Sequence, residues 1–204
     1  MALISEIREN RGIVEIVAEG ATALRVRKAH FDKYPLTPGE DADLAAYSDR
    51  LAAAQFADAY DAALTSLDYS ARTAREIAAA LHRKGFVDPC VDAVIERLTE
   101  NRLIDDARYA QRLAETQSGK AVGLYAFKRK LRAKGISDDD AQEALEAFDD
   151  EQQAQAAKAA AEKLWRKYES LPAREAKAKL SQALARRGFP WDAIESAIDS
   201  LMDE

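Results

Sequence analysis

Apolar residues change period along this chain, and the change divides it. Over residues 1–27 the pattern is extended: Ile4 and Glu6, then Ile13, Glu15 and Val17, then Ala23-Leu24-Arg25-Val26 after Glu19-Gly20. Such runs broken by a glycine turn predict an antiparallel meander of two or three strands. A sheet so small must pack on a helix. Lys28 to Lys33 predicts a short helical turn, and Tyr34 to Gly39, with two prolines and a glycine, a loop. From Asp41 the period is helical. Leu44, Tyr47, Leu51, Phe56, Tyr60, Leu64 and Leu67 recur mostly at three- and four-residue steps. This pattern fits one long helix or two with a bend near Gln55.

A joint then repeats. Leu81-His82-Arg83-Lys84-Gly85-Phe86, Leu131-Arg132-Ala133-Lys134-Gly135-Ile136 and Leu184-Ala185-Arg186-Arg187-Gly188-Phe189 each run a basic helix end into a glycine and an apolar residue. Glycine ends a helix because it takes the left-handed conformation without strain. Spacings of 50 and 53 residues mark an internal repeat. Around the first joint, Thr73 with Glu76 predicts a capping box, and Asp88 with Pro89 a capped following helix. The helices expected are 55–68, 73–84 and 88–99, then 105–117, 121–134 and 138–148, then 153–169, 172–187 and 190–202. No glycine or proline separates Ser137 from Ser170, yet Asp149-Asp150-Glu151 at a helix C-terminus opposes the macrodipole and favours a break. The fold expected is mainly α: a tandem, elongated and curved array of three three-helix repeats behind a small antiparallel β-meander with a short helix. Its parts are 1–40 (extension), 41–54 (connecting helix) and repeats over 55–102, 103–151 and 152–204. Ile77, Leu81, Phe86, Val94, Ile95 and Leu98 are the expected core of the first repeat. Phe127, Leu131, Ile136, Ala141, Leu145 and Phe148 are that of the second.

Composition narrows the function. Hydrophobic residues reach 48% but are largely alanine, the best helix former, which agrees with the helical reading. A net charge of −6 argues against a binder that uses its whole surface on nucleic acid. One cysteine, Cys90, and two histidines, His30 and His82, exclude a disulfide framework and give no metal set. Cys90 reads as a packing residue. No apolar run is long enough to span a membrane. The start has no basic segment leading into an apolar core, so cytoplasmic residence is expected.

Charge follows the repeat. From Lys120 to Lys134 there are six basic residues (Lys120, Lys128, Arg129, Lys130, Arg132, Lys134) and no acidic one; from Asp138 to Glu151 there are eight acidic residues and no basic one. Compensation of helix dipoles, ~0.3–1 kcal/mol per charge, accounts for part of this. The surplus of cations points to a polyanion or an acidic protein surface. Asp105 and Asp106 read as an N-cap and its neighbour rather than acid/base or metal carboxylates. Trp165 and Trp191 read as core. With no phosphate loop and no nucleophile–base set, no catalytic residue, cofactor or metal is expected, and the chain is read as a non-enzyme.

Four blocks carry a family resemblance. Leu103-Ile104-Asp105-Asp106-Ala107-Arg108-Tyr109-Ala110 is similar to the "LIDD-x-x-[FY]-A" block of the RecX family. Gly123 to Ile136 is similar to that family's "G-x-x-x-[IL]-x-x-x-L-x-x-K-G-[IV]". Arg72-Thr73-Ala74-Arg75-Glu76-Ile77 resembles its "R-S-x-x-E-L", and Arg187-Gly188-Phe189 its closing "RGF". The resemblance covers almost the whole chain. It implies a monomeric regulator in DNA repair and the SOS response that lies in the groove of a RecA–single-stranded-DNA filament. There it would inhibit ATP hydrolysis, strand exchange and coprotease activity. With that partner, the charge pattern makes Arg83, Lys84, Lys120, Lys128, Arg129, Lys130, Arg132, Lys134, Arg186 and Arg187 the expected binding face. Asp105, Asp106, Tyr109, Gly85, Gly135 and Gly188 are motif positions with capping roles. A second reading is a sequence-tolerant DNA-binding protein of helix-turn-helix-like repeats that acts without RecA, with weak single- or double-stranded DNA as its ligand. A third is a helical scaffold for another protein.

Overall fold

The structure, a computed structural model, describes residues 1–117, 121–146 and 148–202. The chain forms two compact units, Met1–Asp105 and Asp106–Glu204.

In the first unit, strands β1 (Ala2–Asn10), β2 (Ile13–Ala18) and β3 (Ala21–Arg27) form the meander. A fourth, β4 (Asp41–Ala42), pairs with Ala2 and Leu3, which gives the antiparallel order β3-β2-β1-β4. The helical reading from Asp41 is therefore corrected: Asp41–Ala42 close the edge of the sheet. Gly39 N donates to Ile4 O and Ile4 N to Glu40 O, so the proline loop returns the chain to β1. Turns Arg11-Gly12 and Glu19-Gly20 have positive φ at both residues, which a two-residue type I′ hairpin requires. Helix α1 (Lys28–Phe31) follows β3 directly.

Helix α2 runs unbroken over Leu44–Tyr69. The expected connector 41–54 and the first helix of the first repeat are thus one element. Asp43 opens it by accepting from Ala45 N and Ala46 N, each at 3.1 Å. Helix α3 (Ala74–Arg83) starts from the expected capping box, with Thr73 and Glu76 satisfying each other's backbone donors. Helix α4 (Asp88–Glu100) has Val87, not Asp88, at its N-cap, with no side-chain cap. The reason lies outside the helix: Val87 N donates to Gln55 Oε1 at 2.9 Å, while exposed Asp88 sits 3.3 Å from His82 Nδ1. One core unites sheet and helices. Ile4, Val14, Ile16 and Val26 pack with Leu51, Ile77, Leu81, Phe86, Val94 and Leu98.

The second unit holds α5 (Asp106–Gln117), α6 (Leu124–Lys134), α7 (Asp138–Glu146), α8 (Asp150–Trp165), α9 (Ala173–Arg186) and α10 (Trp191–Met202). Phe127, Leu131, Ile136, Ala141 and Ala144 form one core, with Leu145 and Phe148 half-buried against it. Leu180, Leu184, Phe189, Ile194 and Ile198 belong to another. The break before α8 is present, and Asp149 makes it by accepting from Gln152 N at 2.7 Å. In all three repeats the first and third helices make the broadest contact: α2 with α4, α5 with α7, α8 with α10. Among the described residues no helix is long and apolar enough to cross a membrane.

Candidate functional site

The three joints share one hydrogen-bond pattern. Phe86 N donates to Leu81 O and Gly85 N to His82 O; Ile136 N to Leu131 O and Gly135 N to Arg132 O; Phe189 N to Leu184 O and Gly188 N to Ala185 O. Each glycine is left-handed, at φ +80°, +78° and +82°. Leucine and the residue after glycine are buried in all three, as the accompanying hydrophobic contact of such a cap requires. The backbone therefore fixes where the cations before each glycine emerge: Arg83, Lys84, Arg132, Arg186 and Arg187 are exposed and Lys134 is half-buried.

What each cation meets differs. At the middle joint Arg132 Nη2 lies 3.4 Å from Asp138, and Lys134 sits 5.5 Å over the ring of Tyr109. Capping chemistry continues beyond, where Ser137 Oγ accepts from Asp140 N at 3.0 Å. Half-buried Lys128 lines an α6–α7 groove of about 430 Å³, opposite Asp138, Asp139 and Glu146. Arg129 and Lys130 are exposed and have no ion pair among the described residues. The same holds for Arg186 and Arg187. Lys120 lies outside the described residues. The charge open to a partner in this stretch thus centres on Arg129 and Lys130 more than on Lys128, Arg132 and Lys134.

The second unit brings the third joint to the start of α6. Gly123 N donates to Arg187 O at 3.1 Å and Tyr125 N to Gly188 O at 2.9 Å. A Cβ on Gly123 would overlap the Gly188 carbonyl, and one on Gly188 would overlap Ala126 N. Buried Gln153 then accepts from Leu124 N at 2.8 Å. Arg186/Arg187 and Gly135 hence mark opposite ends of α6, roughly 16 Å apart at ~1.5 Å per residue. Arg83 and Lys84 belong to the other unit.

Motif positions are accounted for locally. Asp105 stands immediately before α5 and Asp106 in its first turn. Half-buried Tyr109 packs on the second core. The core assignment of Trp191 is corrected: it is 63% exposed, because the first residue of α10 turns away from Ile194 and Ile198. Trp165 is half-buried against the third core. Tyr125 is 51% exposed. Cys90 is fully buried, which pushes its thiol up to about 11. Sequence reasoning missed Gln55, Gln153 and Gly123, which brace the joints. A glutamine on the apolar face of a helix and a glycine at a helix start were the available signals.

Comparison with known proteins agrees with this layout. Residues 59–98, 105–145 and 150–198 match, in order, the family models described as the first, second and third three-helix domains of RecX. The chain is 31% identical over 207 residues to the regulatory protein RecX of Limosilactobacillus reuteri (strain DSM 20016), covering all of this chain and 78% of that one. It is 34% identical over 143 residues to the regulatory protein RecX of Bacillus subtilis (strain 168), covering 70% of this chain and 54% of that one. Among solved structures, a regulatory protein RecX superposes with a TM-score of 0.68 at 31% identity, covering 98% of this chain and 100% of the other. RecX from Lactobacillus salivarius gives 0.67 at 30% identity, covering 74% and 99%.

Proposed function

The chain belongs to the RecX family, and on that footing we propose that it is a non-enzymatic regulator that binds the RecA–single-stranded-DNA filament and restrains its activity. The observation that carries this reading is the threefold joint. One backbone motif presents exposed cations at three places, and Arg83, Lys84, Arg129, Lys130, Arg186 and Arg187 have no ion pair among the described residues. Weak contacts repeated along one chain add, which suits a partner that is itself a repeating polymer. The repeats over 55–102, 103–151 and 152–204 are the contact units in this proposal, and Lys128, Arg129 and Lys130 form its centre. The capping positions Asp105, Asp106, Gly85, Gly135 and Gly188 hold those cations in place rather than touch the partner.

The test is co-sedimentation with RecA filaments assembled on single-stranded DNA. Replacing Lys128, Arg129 and Lys130 together by glutamate is expected to weaken binding by about tenfold or more, at least ~1.4 kcal/mol. Helix content should not change. Unaltered co-sedimentation of the folded variant would sink the assignment of this face.

A further inference from the structure

The first joint does not stand alone. Arg27 N donates to Gly85 O at 3.0 Å, so the end of β3 is bonded directly to the joint. Between them opens a cleft of about 720 Å³, into which Arg11 of the β1–β2 turn, Arg25 and Arg27 of β3, and Arg83 and Lys84 of the joint all project. Five cations from three separate stretches of sequence thus line one cavity, in a chain whose net charge is −6. Among the described residues no carboxylate lines it. Glu15, 3.2 Å from Arg25, and Asp58, 3.5 Å from Arg27, offset two of the five. Arg11, Arg83 and Lys84 have no ion pair among the described residues. Such a cluster costs self-repulsion, and stability alone gives no reason for it.

We propose that this cleft between the N-terminal sheet and the first joint binds the phosphodiester backbone of a single-stranded nucleic acid. Four of its five cations are arginines, whose planar forks match phosphate oxygens in pairs. Its walls are preorganised: the Arg27 guanidinium lies 5.1 Å over the Phe86 ring, and Gly12 O accepts from Lys28 N to pin the turn that carries Arg11. Among the described residues no aromatic side chain lines the cleft, so it offers bases no stacking platform. It therefore reads backbone and not sequence. Its volume is that of a small-ligand site, enough for a short run of one phosphodiester backbone. The cleft shares Arg83 and Lys84 with the filament reading, but it is tested apart from it, on the protein without RecA.

The experiment is a fluorescence-anisotropy titration of a labelled oligothymidylate at several salt concentrations, without RecA. Replacement of Arg11, Arg83 and Lys84 together by glutamine removes three exposed cations and no core contact. The slope of log affinity against log salt is expected to flatten by about 2, at ~0.7 per lost phosphate contact on a single strand. A second readout fixes the place. Ala62 lines the cleft and Cys90 is fully buried, so A62C gives one accessible thiol, whose maleimide labelling the oligonucleotide should slow. An unchanged slope, or unslowed labelling, would overturn the proposal. So would equal competition by polyglutamate, which would make the cleft a protein site. Equal competition by thymidine monophosphate would reduce it to a lone-phosphate site, and equal competition by duplex would overturn the single-strand assignment.

Discussion

Gly12 and Gly85 share a left-handed backbone, at φ +77° and +80°, but not the same surroundings. A Cβ on Gly12 meets nothing within 4 Å; on Gly85 it would lie 2.8 Å from Ile13 Cδ1 and 2.9 Å from Arg27 N. A methyl side chain in this conformation costs ~1–2 kcal/mol by itself. Gly12→Ala is expected to lose about that much stability in urea unfolding, and Gly85→Ala at least twice as much, since Arg27 N is backbone and cannot swing aside. Equal losses would show that the sheet does not need the close approach. His30 is buried, with Nδ1 lacking a hydrogen-bond partner among the described residues and Nε2 3.5 Å from Asp58. Burial pushes its pKa down, against the opposing pull of the Asp58 carboxylate. The unfolded chain therefore takes up this proton first, and stability falls as pH drops below ~6.5, the ordinary histidine value, towards the folded one. Urea midpoints at about pH 7 and about pH 5.5 should differ less in His30→Leu than in the wild type. An equal difference would remove His30 as the source.

Among the elements, the glutamines and glycines at the joints decide how repeats and sheet are held. Gln55 lies inside α2, accepts from Val87 N and donates to Gly85 O at 3.3 Å, which ties the joint to the helix beneath it. Gly123 starts α6 at φ −80°, an ordinary value, so Gly123→Ala carries no backbone strain. Its cost is the close approach to Gly188 alone. We expect about 1–3 kcal/mol of destabilisation, as for other overpacked buried sites, read from a lowered urea midpoint. A neutral substitution would mean that the third joint does not press on α6. These elements also show how far a sequence carries. The joints were legible because a left-handed stop needs glycine and its flanking apolar residues recur with it. The Thr73–Glu76 box was legible for the same local reason. What Gly123 meets was not, because its partner is 65 residues away in the chain. Asp88 lost the N-cap to Val87 through Gln55, again a distant partner. Trp191 misled because large aromatic residues are usually buried, and nothing local marks the one that turns outward.

At the scale of the molecule, charge is where sequence and structure part most. The run from Lys120 to Lys134 stood out because it holds six cations and no carboxylate. The structure divides them, with Arg132 on Asp138, Lys134 over Tyr109, and Lys128 beside an acidic wall. Arg11, Arg25 and Arg27 drew no notice because they lie in the strand-forming start, far in sequence from the joint; only the folded meander carries them to Arg83 and Lys84. The central claim is that the cations presented by the joints serve to restrain RecA. Steady-state ATP hydrolysis by RecA on single-stranded DNA, measured across a stoichiometric series of this protein, tests it most directly. The expected result is a dose-dependent fall with the wild type and a curve displaced by about tenfold with Lys128, Arg129 and Lys130 changed to glutamate. A hydrolysis rate unmoved by the wild-type protein across that series would contradict it.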